Sequence, residues 1–176
     1  MCIRDSNYTD IVINEIHYNP ADVGLQDGDL FEFIELKNKS NNPVNLTGLQ
    51  FTDGIKYTFP QGSILPANSF IVLADDSLAF TNQYGFSPDG NYGSNLSNAG
   101  EQVVLSDYYG NPIDVVLYDD TTPWVTGADG NGTSLGLIDS NSDNNIAANW
   151  STQITGLSPG AENMFCDGSL LSLIHI

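Results

Sequence analysis

The interior of this chain is cut into short apolar runs by turn residues, and no long segment keeps a helical repeat. Brief runs of β-branched and aromatic residues, closed off by Gly, Pro, Asn and Asp, specify many short strands. Ile11-Val12-Ile13-Asn14-Glu15-Ile16-His17-Tyr18 opens the series. Asn19-Pro20 ends it, because proline cannot donate to a strand ladder. Phe31-Glu32-Phe33-Ile34-Glu35-Leu36 alternates, with Phe31 and Phe33 on one face and Glu32 on the other. Ile34 breaks that alternation, which calls for a bulge or for burial on both faces. Leu49-Gln50-Phe51-Thr52 and Tyr57-Thr58-Phe59 flank Asp53-Gly54, a tight-hairpin signal. Phe70-Ile71-Val72-Leu73-Ala74 reads as a buried strand, and the apolar runs at 102–106 and 113–118 flank Tyr109-Gly110-Asn111-Pro112. Residues 78–84 form the one helical turn, with Gly85 as its C-terminal cap. Strands at this spacing predict an all-β chain folded as a β-sandwich.

The two ends are expected to be foreign to that fold. Met1-Cys2-Ile3-Arg4-Asp5-Ser6 can be encoded by ATGTGTATAAGAGACAG and one further base. The reverse complement of that string, CTGTCTCTTATACACAT, reads Leu171-Ser172-Leu173-Ile174-His175 and the start of an Ile codon. Unrelated protein ends do not mirror each other in this way, and the string resembles a transposon end used to fragment DNA for sequencing. Residues 1–6 and 171–176 are therefore expected to be library-adaptor sequence, 7–165 the domain, and 166–170 the start of a linker or next segment. Cys2 and His175 then drop out, which leaves Cys166 and His17 as the native cysteine and histidine. A lone cysteine implies no disulfide framework. The domain is expected to be a fragment of a longer gene.

Read in order, the turns and strands resemble a known family. Ile13-Asn14-Glu15-Ile16 with Tyr18-Asn19-Pro20 resembles the opening strand of lamin-tail domains in bacterial secreted proteins. Phe33-Ile34-Glu35-Leu36 with Asn38 is similar to their second strand, and Leu46-Thr47-Gly48-Leu49 through Tyr57-Thr58-Phe59-Pro60 to the next hairpin. Leu96-Ser97-Asn98-Ala99-Gly100-Glu101 resembles the family's Leu-Ser-Asn-x-Gly-Glu turn. Trp124, Asn149-Trp150, Ser158-Pro159-Gly160 and Asn163 extend the likeness, so that it runs from residue 11 to residue 163. The resemblance implies an immunoglobulin-like β-sandwich without a catalytic set of its own. It also implies an accessory unit of a secreted or cell-surface bacterial protein, often beside hydrolase, nuclease or adhesion domains. The expected location is extracellular or at the cell surface, although fold alone does not settle function.

Charge narrows the partners. The chain holds 22 acids against 4 Lys and Arg, for a formal net charge of -18. Such a surface repels phosphate backbones and anionic lipid, so nucleic-acid binding through this domain is not expected. Nor is membrane insertion, since no interior stretch is long and apolar enough to span a bilayer. The expected partners are a protein, an extracellular surface or polysaccharide, and neighbouring domains of the parent chain.

Few residues suggest chemistry. His17 and Glu15 share a strand face, but they read as a surface pair rather than a catalytic one. No Gly-x-Ser-x-Gly elbow supports a serine triad, and Cys166 has no companion at zinc spacing. Glu15, Glu32, Glu35 and Glu101 read as solvent-facing strand positions and a turn-stabilising Glu101, rather than the paired carboxylates of a glycosidase. Asp139-Ser140-Asn141-Ser142-Asp143 alternates oxygen donors like the first half of a calcium loop. Asn144 stands where that loop requires glycine and Trp150 where it requires glutamate, so it is not an EF-hand. Asp139, Asn141 and Asp143 remain candidate calcium ligands, joined by Asp119, Asp120 or Asp129 from other loops, and calcium is the one candidate cofactor. This leaves a calcium-dependent adhesion or carbohydrate-binding module as the alternative to a plain accessory module. A third reading is an accessory domain of an extracellular hydrolase or nuclease. Trp124 and Trp150 are candidate stacking platforms for a sugar or partner, although core packing is the commoner use of tryptophan.

Overall fold

The structure, a computed structural model, describes residues 8–152 and 157–165. The terminal segments 1–6 and 171–176, the linker at 166–170 and Cys166 lie outside the described residues. The strands are β1 (Ile11–His17), β2 (Phe33–Asn38), β3 (Val44–Asn45), β4 (Gln50–Asp53), β5 (Tyr57–Thr58), β6 (Ile64–Leu65), β7 (Phe70–Ala74), β8 (Gly90–Asn91), β9 (Glu101–Ser106), β10 (Pro112–Tyr118), β11 (Leu135–Leu137) and β12 (Trp150–Thr152). One sheet has six strands in the order β12-β11-β1-β2-β7-β8, a second has four in the order β10-β9-β4-β5, and β3 with β6 forms a small ribbon. Among the described strands, only β7 and β8 pair in parallel. Ile13, Ile16, Ile34, Leu36 and Leu73 from the large sheet, with Tyr18 just beyond β1, share one core with Phe51, Val103, Leu105, Val116 and Tyr118 from the other. This is the all-β, immunoglobulin-like sandwich expected from strand spacing and family resemblance.

A bulge sets the faces of β1. Ile13 pairs with Leu36 and Glu15 with Glu35, so Asn14 is the extra residue. Alternation would put residues 13 and 15 on one face. The extra residue instead turns both Ile13 and Ile16 into the core and sends Glu15 and His17 to the outer face.

Strand β2 is buried on both faces. Ile34 and Leu36 enter the sandwich core, while Phe33 packs outward beneath helix α1 (Ser77–Tyr84). The Phe33 ring meets Phe80 at 5.8 Å and Tyr84 at 5.7 Å, both edge-on. Of the two explanations offered for Ile34, β2 takes two-sided burial, and the bulge lies on its partner. Phe31 is not on the strand: it ends a 3-10 turn (Gly28–Phe31), and the buried Glu32 joins that turn to β2.

Helix α1 begins one residue before the segment predicted from sequence, because Asp76 caps it. The Asp76 carboxylate accepts from Leu78 N at 2.9 Å and Ala79 N at 2.8 Å. Gly85, left-handed at φ 82°, closes it as expected. The β4–β5 hairpin is looser than Asp53-Gly54 suggested, since the last pair is Phe51 with Tyr57.

The Leu96-to-Glu101 turn is a junction between the sheets. Glu101 Oε1 accepts from Ser97 N at 2.7 Å, and the Tyr118 hydroxyl donates to Ser97 O at 2.8 Å. Gly100 sits at φ +88°, and a Cβ there would lie 2.6 Å from Tyr118 O and 2.7 Å from Asp119 Cα. Both the dihedral and the contact exclude a side chain. Gly100→Ala is expected to cost about 3 kcal/mol and lower Tm by roughly 10 °C in thermal melting; an unchanged Tm would contradict this account of the turn.

The chain returns to the large sheet after residue 120. Strand β11 pairs with β1 through Glu15–Gly136 and Ile16–Leu135, and β12 pairs with β11 through Leu137–Trp150. Residues 157–163 then lie across the outer face, where Ser158, Gly160 and Asn163 bond to β1, β2 and β11.

Candidate functional site

The outer face of the large sheet gathers the groups most suited to chemistry. Glu15 and Glu35 are directly paired across β1 and β2, and neither has accessible surface. Glu15 accepts from the Ser134 hydroxyl, and from the Ser158 hydroxyl at 3.3 Å. Glu35 accepts from Asn14 Nδ2 at 2.8 Å and Gly160 N at 2.6 Å. Burial, reinforced by the neighbouring Glu15, pushes the Glu35 carboxyl up to about 9. At neutral pH Glu35 is therefore protonated, which removes one charge from a pair that cannot both ionise in so dry a place.

Glu32 behaves in the same way at the next turn. It has no accessible surface, its Oε2 accepts from Leu96 N at 2.7 Å, and burial raises it to about 9. The sequence expectation that Glu15, Glu32 and Glu35 face solvent is thus corrected. Residues 157–163 cover Glu15 and Glu35, and the 96–101 turn covers Glu32. Glu101 does stabilise its turn, as its position suggested.

His17 shares the outer face with Glu15, as the spacing implied, but it is not a surface histidine. It is 1% exposed, and burial lowers its imidazole to about 3. Its ring meets Phe33 edge-on at 5.4 Å, and Nδ1 lies 3.3 Å from the Tyr84 hydroxyl. The neutral ring acts as packing beneath α1. Hollows of about 170 Å³ beside Asn14 and Lys37 and about 100 Å³ beside His17 and Tyr84 border this face. Both fall below the ~300 Å³ at which small-molecule clefts begin.

The calcium candidates do not converge. Asp139 Oδ1 accepts from Asn141 N at 2.9 Å and Asp143 Oδ1 accepts from Asn145 N at 3.0 Å, so these oxygens close Asx turns on their own loop. The bonds from Asn141 hold the Asp139 carboxyl below its usual range. The other proposed ligands lie elsewhere: Asp129 accepts from Asn19 Nδ2 beyond the far end of β1, and Asp119 and Asp120 belong to the same end near Tyr18. Among the described residues no group of three or more His, Cys, Asp or Glu is placed to hold a metal ion. The loop's buried member is Asn144, whose Nδ2 donates to Ile13 O at 3.2 Å and Asp114 Oδ2 at 2.8 Å. Its carbonyl accepts from Trp150 Nε1 at 2.7 Å. The asparagine that spoils the calcium pattern therefore clasps the β1 bulge to β10 and β12. Millimolar calcium is expected to leave Tm unchanged to about a degree; a rise of several degrees would reveal a site the Asx turns conceal.

Trp124 and Trp150 are 8% and 2% exposed and pack together with ring centroids 5.9 Å apart. Buried in the sandwich core, they offer no open face for stacking, which corrects their assignment as platforms. Among the described residues the most exposed aromatics are instead Tyr108 and Tyr109 in the β9–β10 turn, at 74% and 85%, with Phe86 next at 37%. Sequence reading passed over them as hairpin punctuation. The available signal was two adjacent tyrosines where turn chemistry needs none.

Comparison with known families returns the Lamin Tail Domain over residues 4–120. No curated protein matches the chain.

Proposed function

This chain belongs to the lamin tail domain family, and from that membership we propose that it is a non-catalytic binding and structural module of a larger secreted or cell-surface bacterial protein. The observation that carries the reading is the fate of the chemically capable groups. Glu15, Glu32, Glu35 and His17 are all buried, and each carboxyl is spent on fastening a loop or strap to a sheet. A general acid or base must reach a substrate within hydrogen-bond distance, and these side chains face covering segments of their own chain. The acidic, lysine-poor composition suits a solvated module on the outside of a cell. Hydrolase, nuclease or adhesion domains of the same parent chain are the natural neighbours of such a unit.

Two measurements test this reading. The purified chain is expected to show no turnover of ester, glycoside or phosphodiester substrates above a heat-unfolded control; turnover that Glu35→Ala or His17→Ala abolishes would refute it. Recovering the flanking DNA is expected to reveal an export signal and at least one further domain in frame. An intact gene coding for this domain alone, with no export signal, would remove the accessory and secreted parts of the proposal.

A further inference from the structure

The β9–β10 turn presents two exposed aromatic rings on a fixed base. Asp107 organises it: Oδ1 accepts from Tyr109 N at 2.8 Å and Asn111 N at 2.9 Å, while Oδ2 accepts from Asn111 Nδ2 at 2.9 Å. The backbone closes on the same residue, with Gly110 N donating to Asp107 O at 3.0 Å and Asp107 N to Asn111 O at 2.9 Å. Gln50 Nε2 ties the turn to β4 through Asp107 O at 3.3 Å. Tyr108 leans on Gly48, its ring 3.4 Å from the point a Cβ there would occupy. The two rings stand edge to face, with centroids 5.4 Å apart and planes at 85°. The side-chain bonds that close this turn come from Asp107 and Asn111; the tyrosine rings make none of them. Large rings left in water on a rigid support are characteristic of binding surfaces, because their ordering cost is met before the ligand arrives.

Charge and size select the ligand. Arg4, Lys37, Lys39 and Lys56 are the cationic side chains of the whole sequence, and none lies in the turn. Lys37 is paired with Glu162 and Lys39 bonds to Ser140 O. With a formal net charge of -18, the chain repels nucleic acids, acidic polysaccharides and anionic lipid. A stable protein interface covers about 800 Å² per partner around an apolar centre. Two rings bordered by Gln50, Asp107 and Asn111 make a smaller and more polar surface. Sugar rings match it: their C–H faces lie on tyrosine faces, and their hydroxyls bond to phenol and carboxamide groups.

We propose that the Tyr108–Tyr109 turn is the ligand-binding surface of this module and that its ligand is a neutral polysaccharide. The proposal rests on the accessory-module reading and gives that module a target. Repeated sugar units suit so small a contact, because each unit offers the same face and a released chain rebinds nearby.

The test uses the full 176-residue chain. Binding is measured by depletion onto insoluble cellulose and chitin and by retardation in native gels containing mannan or xyloglucan. Retention by at least one of these is expected, with Tyr108→Ala/Tyr109→Ala weakening it on the order of tenfold or more. Tyr109→Phe, which keeps the ring, is expected to retain most of the binding. Melting of the double variant at the wild-type Tm would exclude unfolding as the cause. Failure of all four polysaccharides to retain the wild type, or equal retention of the double variant, would overturn the proposal. So would a concentration-dependent dimer that the double variant abolishes, since it would assign the rings to a second copy of the chain. Release of reducing ends by the wild type would overturn the non-catalytic reading alone; tyrosine-dependent retention would still support the surface.

Discussion

The chain is expected to be most stable near pH 4.5 and to lose stability on both sides of it. Three buried groups dominate this profile, and the buried Asp114, also raised, adds to the loss as pH rises. Glu32 and Glu35 are raised to about 9 in the folded state. Their unfolded values lie near 4.3, so the folded state holds two protons that the unfolded chain has released. Stability is therefore full below the unfolded value and is lost as pH rises toward 9. By pH 7 the cost is about 4 kcal/mol for each carboxyl in isolation. His17 acts in the opposite sense. It is lowered to about 3, so its contribution is full above its unfolded value near 6.5 and is lost as pH falls toward 3. Between 4.5 and 6.5 two carboxyls outweigh one imidazole; below 4.5 His17 prevails. The exposed Asp139, held low by its Asx turn, steepens that acid limb. Thermal melting at pH 5 should exceed that at pH 8.5 by about 10 °C or more, with the descent lessened in Glu15→Gln to the extent that Glu15 holds Glu35 high. A Tm that is flat or rising from pH 5 to 8.5 would show that the buried carboxyls ionise without cost.

These carboxyls also mark the boundary of what the sequence could disclose. Alternation and turn residues located β1, β2, β7, β9 and β10, because strand period and chain punctuation are local properties. In the same alternation a glutamate reads as outward, and outward is normally wet. Glu35 lies outward from the core, yet Gly160, 125 residues further on, covers it. No local pattern carries that information. The Ile34 irregularity did signal burial on both faces, and applying it to the whole of β2 would have put Glu35 inside with Phe33. The 139–145 loop shows the same division. Its Asx turns follow from composition, whereas the reach of Asn144 to Ile13 and Asp114 depends on how distant strands meet. Tyr108 and Tyr109 were visible throughout, but only the structure distinguished their exposure from the burial of Trp124 and Trp150.

A chain ending at Asp120, the last residue of the family match, is expected not to fold. Removing residues 121–176 deletes β11 and β12, so β1 changes from an interior strand to an edge of the large sheet. Trp124, Ala128, Leu135, Leu137 and Trp150 leave the core, uncovering inner-face neighbours such as Ile16 and Tyr18. Each large side chain withdrawn from such a core costs about 2–5 kcal/mol, and a domain of this size has only about 5–15 kcal/mol in total. Polar terms act in the same direction. Glu15 loses Ser134 and Ser158, Glu35 loses Gly160, and Asp114 loses Asn144. Two facing carboxyls opened to water would ionise at neutral pH and repel each other across β1 and β2. The truncated chain should therefore give no cooperative thermal transition and rapid proteolysis, whereas a chain ending at residue 165 should melt like the full one. A cooperative transition in the shorter chain would mean that the large sheet closes at β1 and that the residues beyond 120 decorate a finished sandwich. The bond geometry argues the reverse: the carboxyls of β1 and β2 are buried because the last forty residues of the domain cover and bind them.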